Sequence, residues 1–316
     1  MVQVVHSVAD MARLRGQLPG TLAVVPTMGA LHAGHRSLMR RAREVADHVV
    51  VTVFVNPLQF RPGEDFAEYP RTLDADVAVC GEEGVDVVFA PSEAELYPRA
   101  KTDMTRVIPG PLGEILEGAS RPGFFTGVLT IVNKLFQVTG ANAAVFGEKD
   151  YQQLALVRRM SEDFNMGVDV IGVATKRDED GLASSSRNAY LSTSERSAGL
   201  AIPRAIAEAH ASLDPLAAAE KILAEEPGLR VDYVALTSPD LSEAPSAGEA
   251  RLLIAAFAGA TRLIDNAKVT VVDSTATGSH EDSPTGVSTT STVKVDSGSD
   301  PAYSARLTTH SGDRDA

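Results

Sequence analysis

The run His48–Val55, His-Val-Val-Val-Thr-Val-Phe-Val, is too continuously apolar for a strand with one face in water, so it belongs in a parallel sheet covered on both faces. Upstream, Thr21–Val25 has the same β-branched density, and between the two runs Leu38, Met39, Ala42, Val45 and Ala46 recur at helical spacing. Strand, helix and strand in this order make a βαβ unit, whose ligands bind just beyond the carboxyl ends of the strands. That position holds the glycine-rich turn Pro26-Thr27-Met28-Gly29-Ala30-Leu31-His32-Ala33-Gly34-His35. A helix N-terminus there offers unpaired N–H groups and a partial positive charge, both suited to phosphate, and the two imidazoles add directed donors.

The alternation continues along the chain. A short helix is expected over residues 7 to 17, a helix through Leu73, Val77 and Val79, a strand over Val85–Phe89 and a helix over Val128–Val138. A strand Ala143–Phe146 leads through Gly147-Glu148-Lys149-Asp150 into a helix carrying Leu154, Leu156, Val157 and Met160, and a strand Val168–Val173 closes the series. Residues 98 to 127 are rich in Pro and Gly without periodicity, which points to a functional loop. From Ser194 two helices split near Asp214-Pro215 and are followed by strands near Val231–Leu236, Leu252–Phe257 and Arg262–Val271. The expected fold class is therefore α/β, a Rossmann-like parallel sheet domain (1–175) followed by a small α+β domain (176–272). Residues 273–316 are Ser, Thr, Gly and Asp with scattered valines, too few apolar groups to offset ordering entropy, and are expected to be disordered.

With a net charge of −13, the chain is a poor partner for nucleic acid or an anionic membrane. One cysteine, Cys80, excludes an intrachain disulfide framework and reads as a small buried apolar residue. No apolar run approaches the roughly 20 residues of a membrane span, so a cytoplasmic setting is expected.

Each polar cluster has a bland reading beside the chemical one. The His32–His35 pair is structural or binds an anion; as a zinc site it supplies two ligands and no intervening glutamate. Lys149 is a surface lysine or a point charge for phosphate. Asp150 caps a helix, binds a ribose hydroxyl, or does both. Ser185-Ser186-Arg187 is a flexible interdomain linker or a phosphate clamp with a bidentate arginine. The glycines match neither a Walker A loop nor a G-x-G-x-x-G fingerprint.

Five motifs in order are more specific than any one of them: the opening turn, Phe54-Val55-Asn56-Pro57-x-Gln59-Phe60, Glu64-Asp65-Phe66-x-x-Tyr69-Pro70-Arg71-Thr72, Phe146-Gly147-Glu148-Lys149-Asp150-Tyr151-Gln152-Gln153, and Asp180-Gly181-Leu182-Ala183-x-Ser185-Ser186-Arg187-Asn188. From about residue 2 to 272 the chain resembles the pantothenate synthetase (pantoate–β-alanine ligase) family of the H-x-G-H nucleotidylyltransferases. The resemblance implies an AMP-forming ligase that condenses pantoate with β-alanine through a pantoyl adenylate, uses ATP and Mg²⁺, and is a homodimer. It implies catalytic roles for His32, His35, Lys149, Ser185, Ser186 and Arg187, with His35 the usual candidate proton donor. It adds Met28, Gly29, Gly34, Gly147, Asp150, Lys176 and Ser184 to the ATP site, Gln59, Gln153, Asn56 and Tyr69 to the pantoate and β-alanine site, and Asp76 as metal ligand. Residues 60 to 72 are expected to form a lid. The chain departs from the family pattern at Phe124, where histidine is common, at Ser184, where methionine is usual, and at Lys176, where a small apolar residue is common. A related nucleotidylyltransferase with another acceptor, and a catalytically inactive nucleotide-binding scaffold, are the competing readings.

Overall fold

The computed structural model describes residues 2–61 and 63–272, so the disorder expected of 273–316 lies outside the described residues. A six-stranded parallel sheet is built from β1 (Gln3–Val5), β2 (Leu22–Thr27), β3 (His48–Val53), β4 (Val87–Phe89), β5 (Ala143–Gly147) and β6 (Asp169–Val173), in the order β1-β4-β3-β2-β5-β6. Side chains alternate along each strand, and the two faces fill separate cores. Leu22, Val24, Val50, Phe89 and Phe146 pack on helices α1 (Val8–Arg15), α6 (Phe124–Thr139) and α7 (Tyr151–Asp163). Ala23, Val25, Val49, Val51 and Val145 pack on α2 (Ala33–Val45) and α3 (Leu73–Glu82), with Cys80 buried among them. Burial pushes the Cys80 thiol up to about 12, which keeps it protonated and inert.

Two short helices interrupt the connection from β4 to α6, α4 (Glu93–Leu96) just before the Pro- and Gly-rich stretch and α5 (Glu117–Ser120) within it. Helix α6 begins at Phe124, a turn before the expected Val128, because Gly123 at φ 81° supplies the left-handed entry. Strand β1 escapes periodicity altogether: it has three residues, and its place is set by pairing with β4.

Beyond the parallel sheet come α8 (Thr193–Gly199), α9 (Ala201–Ala211) and α10 (Pro215–Ala224), the last starting at the expected Asp214-Pro215 break. They precede an antiparallel sheet of β7 (Leu229–Thr237), β8 (Gly248–Ala258) and β9 (Thr261–Val271), in the order β7-β8-β9. Leu252, Ile254, Ala256 and Leu263 form one face of that sheet, packed on α9 and α10. The opposite face carries Arg251, Leu253, Phe257, Arg262 and Asn266.

In the parallel sheet, β2 leads to β3 on one side, and the chain later returns to place β5 on the other. The strand order reverses there, and such a switch point opens a crevice at the strands' carboxyl ends. The histidine turn leaves β2 and the Lys149 turn leaves β5, so the fold alone brings these two motifs together.

Candidate active site

The turn after β2 is held from beneath. Asp76 on α3 is 2% exposed and accepts hydrogen bonds from the Ala30 N–H at 3.2 Å, the Leu31 N–H at 2.8 Å and the Thr72 hydroxyl at 3.2 Å. Gly29 sits above it at φ 86°, where a Cβ would lie 2.9 Å from the Asp76 carboxylate, so only glycine lets the turn approach. Asp76 therefore braces the turn through two backbone amides and the Thr72 hydroxyl. The Gly29 N–H is bonded to the Thr27 hydroxyl at 3.1 Å.

His32 caps α2, and the two histidines interlock. The Gly34 N–H donates to His32 Nδ1 at 3.1 Å, and the His32 N–H donates to His35 Nδ1 at 3.2 Å, with ring centroids 4.1 Å apart. A nitrogen that accepts carries no proton, so each ring is the neutral tautomer with its hydrogen on Nε2. The turn's amides at Gly29, Ala30, Leu31, His32 and Gly34 are thus engaged inside the turn. The imidazole Nε2–H groups are the ring donors left for an anion. Burial, then His32 and Lys149, pushes His35 down to about 3. Burial and Lys149 lower His32 as well, against the opposing charges of Asp178 and Asp150.

The His35 shift has a thermodynamic consequence. The unfolded chain takes up a proton near the ordinary histidine value, about 6.5, and the folded chain refuses it until about pH 3. Stability is therefore full above pH 6.5 and falls as pH drops through that window. On going from pH 7.5 to pH 5, the His35→Asn variant is expected to lose about 1 to 2 kcal/mol less than the parent in urea unfolding. Identical pH dependence in the two proteins would overturn the assignment of a neutral His35.

A cavity of about 240 Å³ opens over these rings. Met28, His32, Gly34 and His35 line it from the first turn, and Asn56, Gln59 and Tyr69 from the segment after β3. Gly147, Lys149, Asp150 and Gln153 line it from the turn after β5, and Lys176, Ser184, Ser185, Ser186 and Arg187 from the loop after β6. Gln59 is oriented by neighbours: its Oε1 accepts from Asn56 Nδ2 at 2.9 Å and its Nε2 donates to Met28 Sδ at 3.1 Å. Asn56 is fully engaged, also donating to the Gly127 carbonyl at 3.1 Å and accepting from the Tyr97 hydroxyl at 2.7 Å. Through these bonds it positions Gln59 at the cavity wall. The close packing needs Gly127, where a Cβ would lie 2.2 Å from the Leu58 carbonyl oxygen.

Ser184 is held by its neighbours. Its hydroxyl donates to Asp178 at 2.6 Å and its N–H to the Lys176 carbonyl at 2.8 Å, so it shapes the nucleotide loop from within. Asp178 is an anchor: burial alone would raise it, but Ser184, Arg196 and Asn188 hold its carboxyl below the usual range. Arg187 is paired with Asp65 through Nε at 3.2 Å and Nη2 at 3.1 Å, which leaves its Nη1 hydrogens without a protein partner among the described residues. The segment 60 to 72, expected as a lid, is tied by this pair and by Glu64, which Arg121 and Arg61 hold at about 2 against the effect of burial.

Sequence reasoning missed Asp65 and Arg121. Asp65 lies within the acidic motif, yet its partner is 122 residues away. Arg121 donates to the Gln59 carbonyl at 3.1 Å and stacks 3.9 Å from the Phe124 ring centroid, so the residue that departs from the family pattern supports an arginine at the cavity wall. Among the described residues, no group of three or more His, Cys, Asp or Glu side chains is placed to hold a metal ion.

Comparison with known proteins points to one family. Residues 2–268 match the family described as Pantoate-beta-alanine ligase. The pantothenate synthetase of Salinispora arenicola is 56% identical over 277 residues, covering 85% of this chain and 98% of that one. The pantothenate synthetase of Thermobifida fusca is 52% identical over 285 residues, covering 85% and 96%. Among solved structures, the pantothenate synthetase of Thermus thermophilus superposes with a TM-score of 0.79 at 44% identity, over 84% of this chain and 99% of that one. The pantoate–β-alanine ligase of Francisella tularensis, complexed with β-γ ATP and β-alanine, gives a TM-score of 0.71 at 33% identity, over 84% and 97%.

Proposed function

The chain belongs to the pantoate–β-alanine ligase family, and on that premise we propose that it activates pantoate with ATP and transfers the pantoyl group to β-alanine. A carboxylate oxygen of pantoate attacks the α-phosphorus of ATP, the acyl–O–P bond forms, and pyrophosphate leaves. The neutral amine of β-alanine then attacks the acyl carbon. The C–N bond forms, the C–O bond to AMP breaks, and the amine gives up its proton.

The observation that carries this reading is the convergence of four sequence-distant segments on one cavity at the sheet's switch point. In the first step, negative charge grows on phosphate oxygens, so positioned donors matter more than acids or bases. His32 and His35 provide Nε2–H groups, Lys149 a point charge and Arg187 a fork, with Ser185 and Ser186 beside them. His35, neutral in the free protein, meets the polyphosphate as a hydrogen-bond donor. Gln59 and Gln153 hold pantoate near Tyr69. Gln152 next door is buried, donating to the Leu112 and Ile115 carbonyls, which turns Gln153 toward the cavity.

Mg²⁺ enters with ATP as part of the nucleotide substrate and offsets its charge, with no step assigned to a resident metal. The proposal includes the dimer and the cytoplasmic setting; among the described residues no helix is long and apolar enough to cross a membrane. Purified protein is expected to release AMP only when ATP, Mg²⁺, pantoate and β-alanine are all supplied. AMP release that ignores β-alanine overturns the reading, and a stable nucleotidylated product with no amide would point to a different acceptor.

A further inference from the structure

The antiparallel sheet reaches the nucleotide site through one side chain. Asn266 on β9 is 5% exposed, and its amide nitrogen donates to two successive carbonyls, Glu148 O and Lys149 O, each at 2.9 Å. Those carbonyls belong to the peptide units on either side of the Lys149 Cα. A peptide unit is planar, so holding both units fixes the two backbone torsions of Lys149. The amide of Asn266 is itself fixed: its Oδ1 accepts from both Nε and Nη2 of Arg251 on β8. Arg251 in turn donates to the Glu148 carboxylate at 3.1 Å and stacks 3.8 Å from the Tyr151 ring centroid. Leu253 pairs with Asn266 across the two strands, which puts Arg251 and Asn266 diagonally on the same face, the one turned away from α9 and α10.

We propose that Asn266, oriented by Arg251, is a positioning residue for Lys149, so that the antiparallel sheet sets where the lysine charge meets the transferring phosphoryl group. The inference rests on the phosphate-binding role of Lys149. A lysine ammonium is a point charge on a flexible stem, and its placement depends on where its Cα is held. Without the clamp the turn keeps its connection to β5 and α7 but loses the bonds that orient both peptide units around Lys149. A shift of about 1 Å in a group that stabilises a transition state can cost as much as 10²-fold in rate.

Asn266→Asp tests this with little change of shape. The carboxylate still accepts from Arg251 but has no hydrogen to give to the two carbonyls. The readout is the single-turnover rate of pantoyl adenylate formation, which does not depend on the fraction of protein folded, together with the KM for pantoate. The rate is expected to fall at least tenfold with the pantoate KM within twofold, because Gln59 and Gln153 are untouched. Should the Asp variant fail to fold, Asn266→Ser, which is small and gives up both carbonyl bonds, takes its place with the same expectation. Lys149→Ala is run alongside. If Lys149→Ala is impaired about 10²-fold and the Asn266 variant is within twofold of the parent, the clamp is overturned while the role of Lys149 stands. If Lys149→Ala is also near normal, the reading of Lys149 falls and the clamp with it.

Discussion

Replacing His35 with alanine is expected to lower pantoate-dependent exchange of labelled pyrophosphate into ATP by about 10²-fold or more, the loss typical of removing one donor aimed at a developing oxyanion. Alanine also strips the Nδ1 acceptor from the His32 N–H, so part of the loss could reflect a disturbed turn. His35→Asn separates the two effects, since its side-chain oxygen can take over that acceptor while the reach of Nε2 is gone. Both variants are expected to be similarly slow in exchange, with Asn the more stable in unfolding. Near-parental exchange in either variant would undo the assignment. Lowering the pH from 8 to 6 is expected to leave the free protein's His35 neutral, because its proton affinity lies well below that range. Bound polyphosphate raises that affinity, so an acid limb belonging to His35 is expected only in the ATP complex.

Much of this site could be read from the chain because its chemistry sits where local rules are strong. The β-branched runs that became β2 and β3 declare themselves by composition, and a polar turn at the carboxyl end of such a strand is where a parallel sheet binds ligands. What stayed hidden is the support beneath the chemistry. The family resemblance singles out Asp76, but not that α3 brings it under the Ala30 and Leu31 amides. Asn56 is singled out in sequence by its motif, but its four bonds are not. Pairings such as Arg187–Asp65, and Arg262 with Glu117 at 2.7 Å, join residues more than a hundred positions apart, where periodicity carries no information. The same holds for Phe124: sequence alone records a missing histidine, whereas the structure supplies what stands there, an aromatic face under Arg121.

The Arg187–Asp65 pair leads to the second large effect. Arg187→Ala is expected to reduce exchange by about 10²-fold or more, because it removes a fork that can donate to a phosphate and also strands the carboxylate of Asp65 at the cavity. That carboxylate is 23% exposed, so water screens it only in part, and in the alanine variant it faces the polyphosphate with no cation between them. The loss thus has two components of different origin, a missing attraction and a new repulsion. Asp65→Asn removes the repulsion without restoring the fork. The double variant Arg187→Ala, Asp65→Asn is expected to recover about tenfold over Arg187→Ala alone, as relief of an unpaired, partly buried charge allows. Asp65→Asn alone loosens the hold on a guanidinium that otherwise stays in place, and its effect is expected to be the smallest of the three. Arg187→Lys keeps the charge but cannot grip Asp65 and a phosphate at once, and is expected to fall between parent and alanine. Equal exchange in the single alanine and double variants would remove the repulsive component. Near-normal exchange in Arg187→Ala would show that the guanidinium serves only to fasten the 60 to 72 segment to the loop after β6.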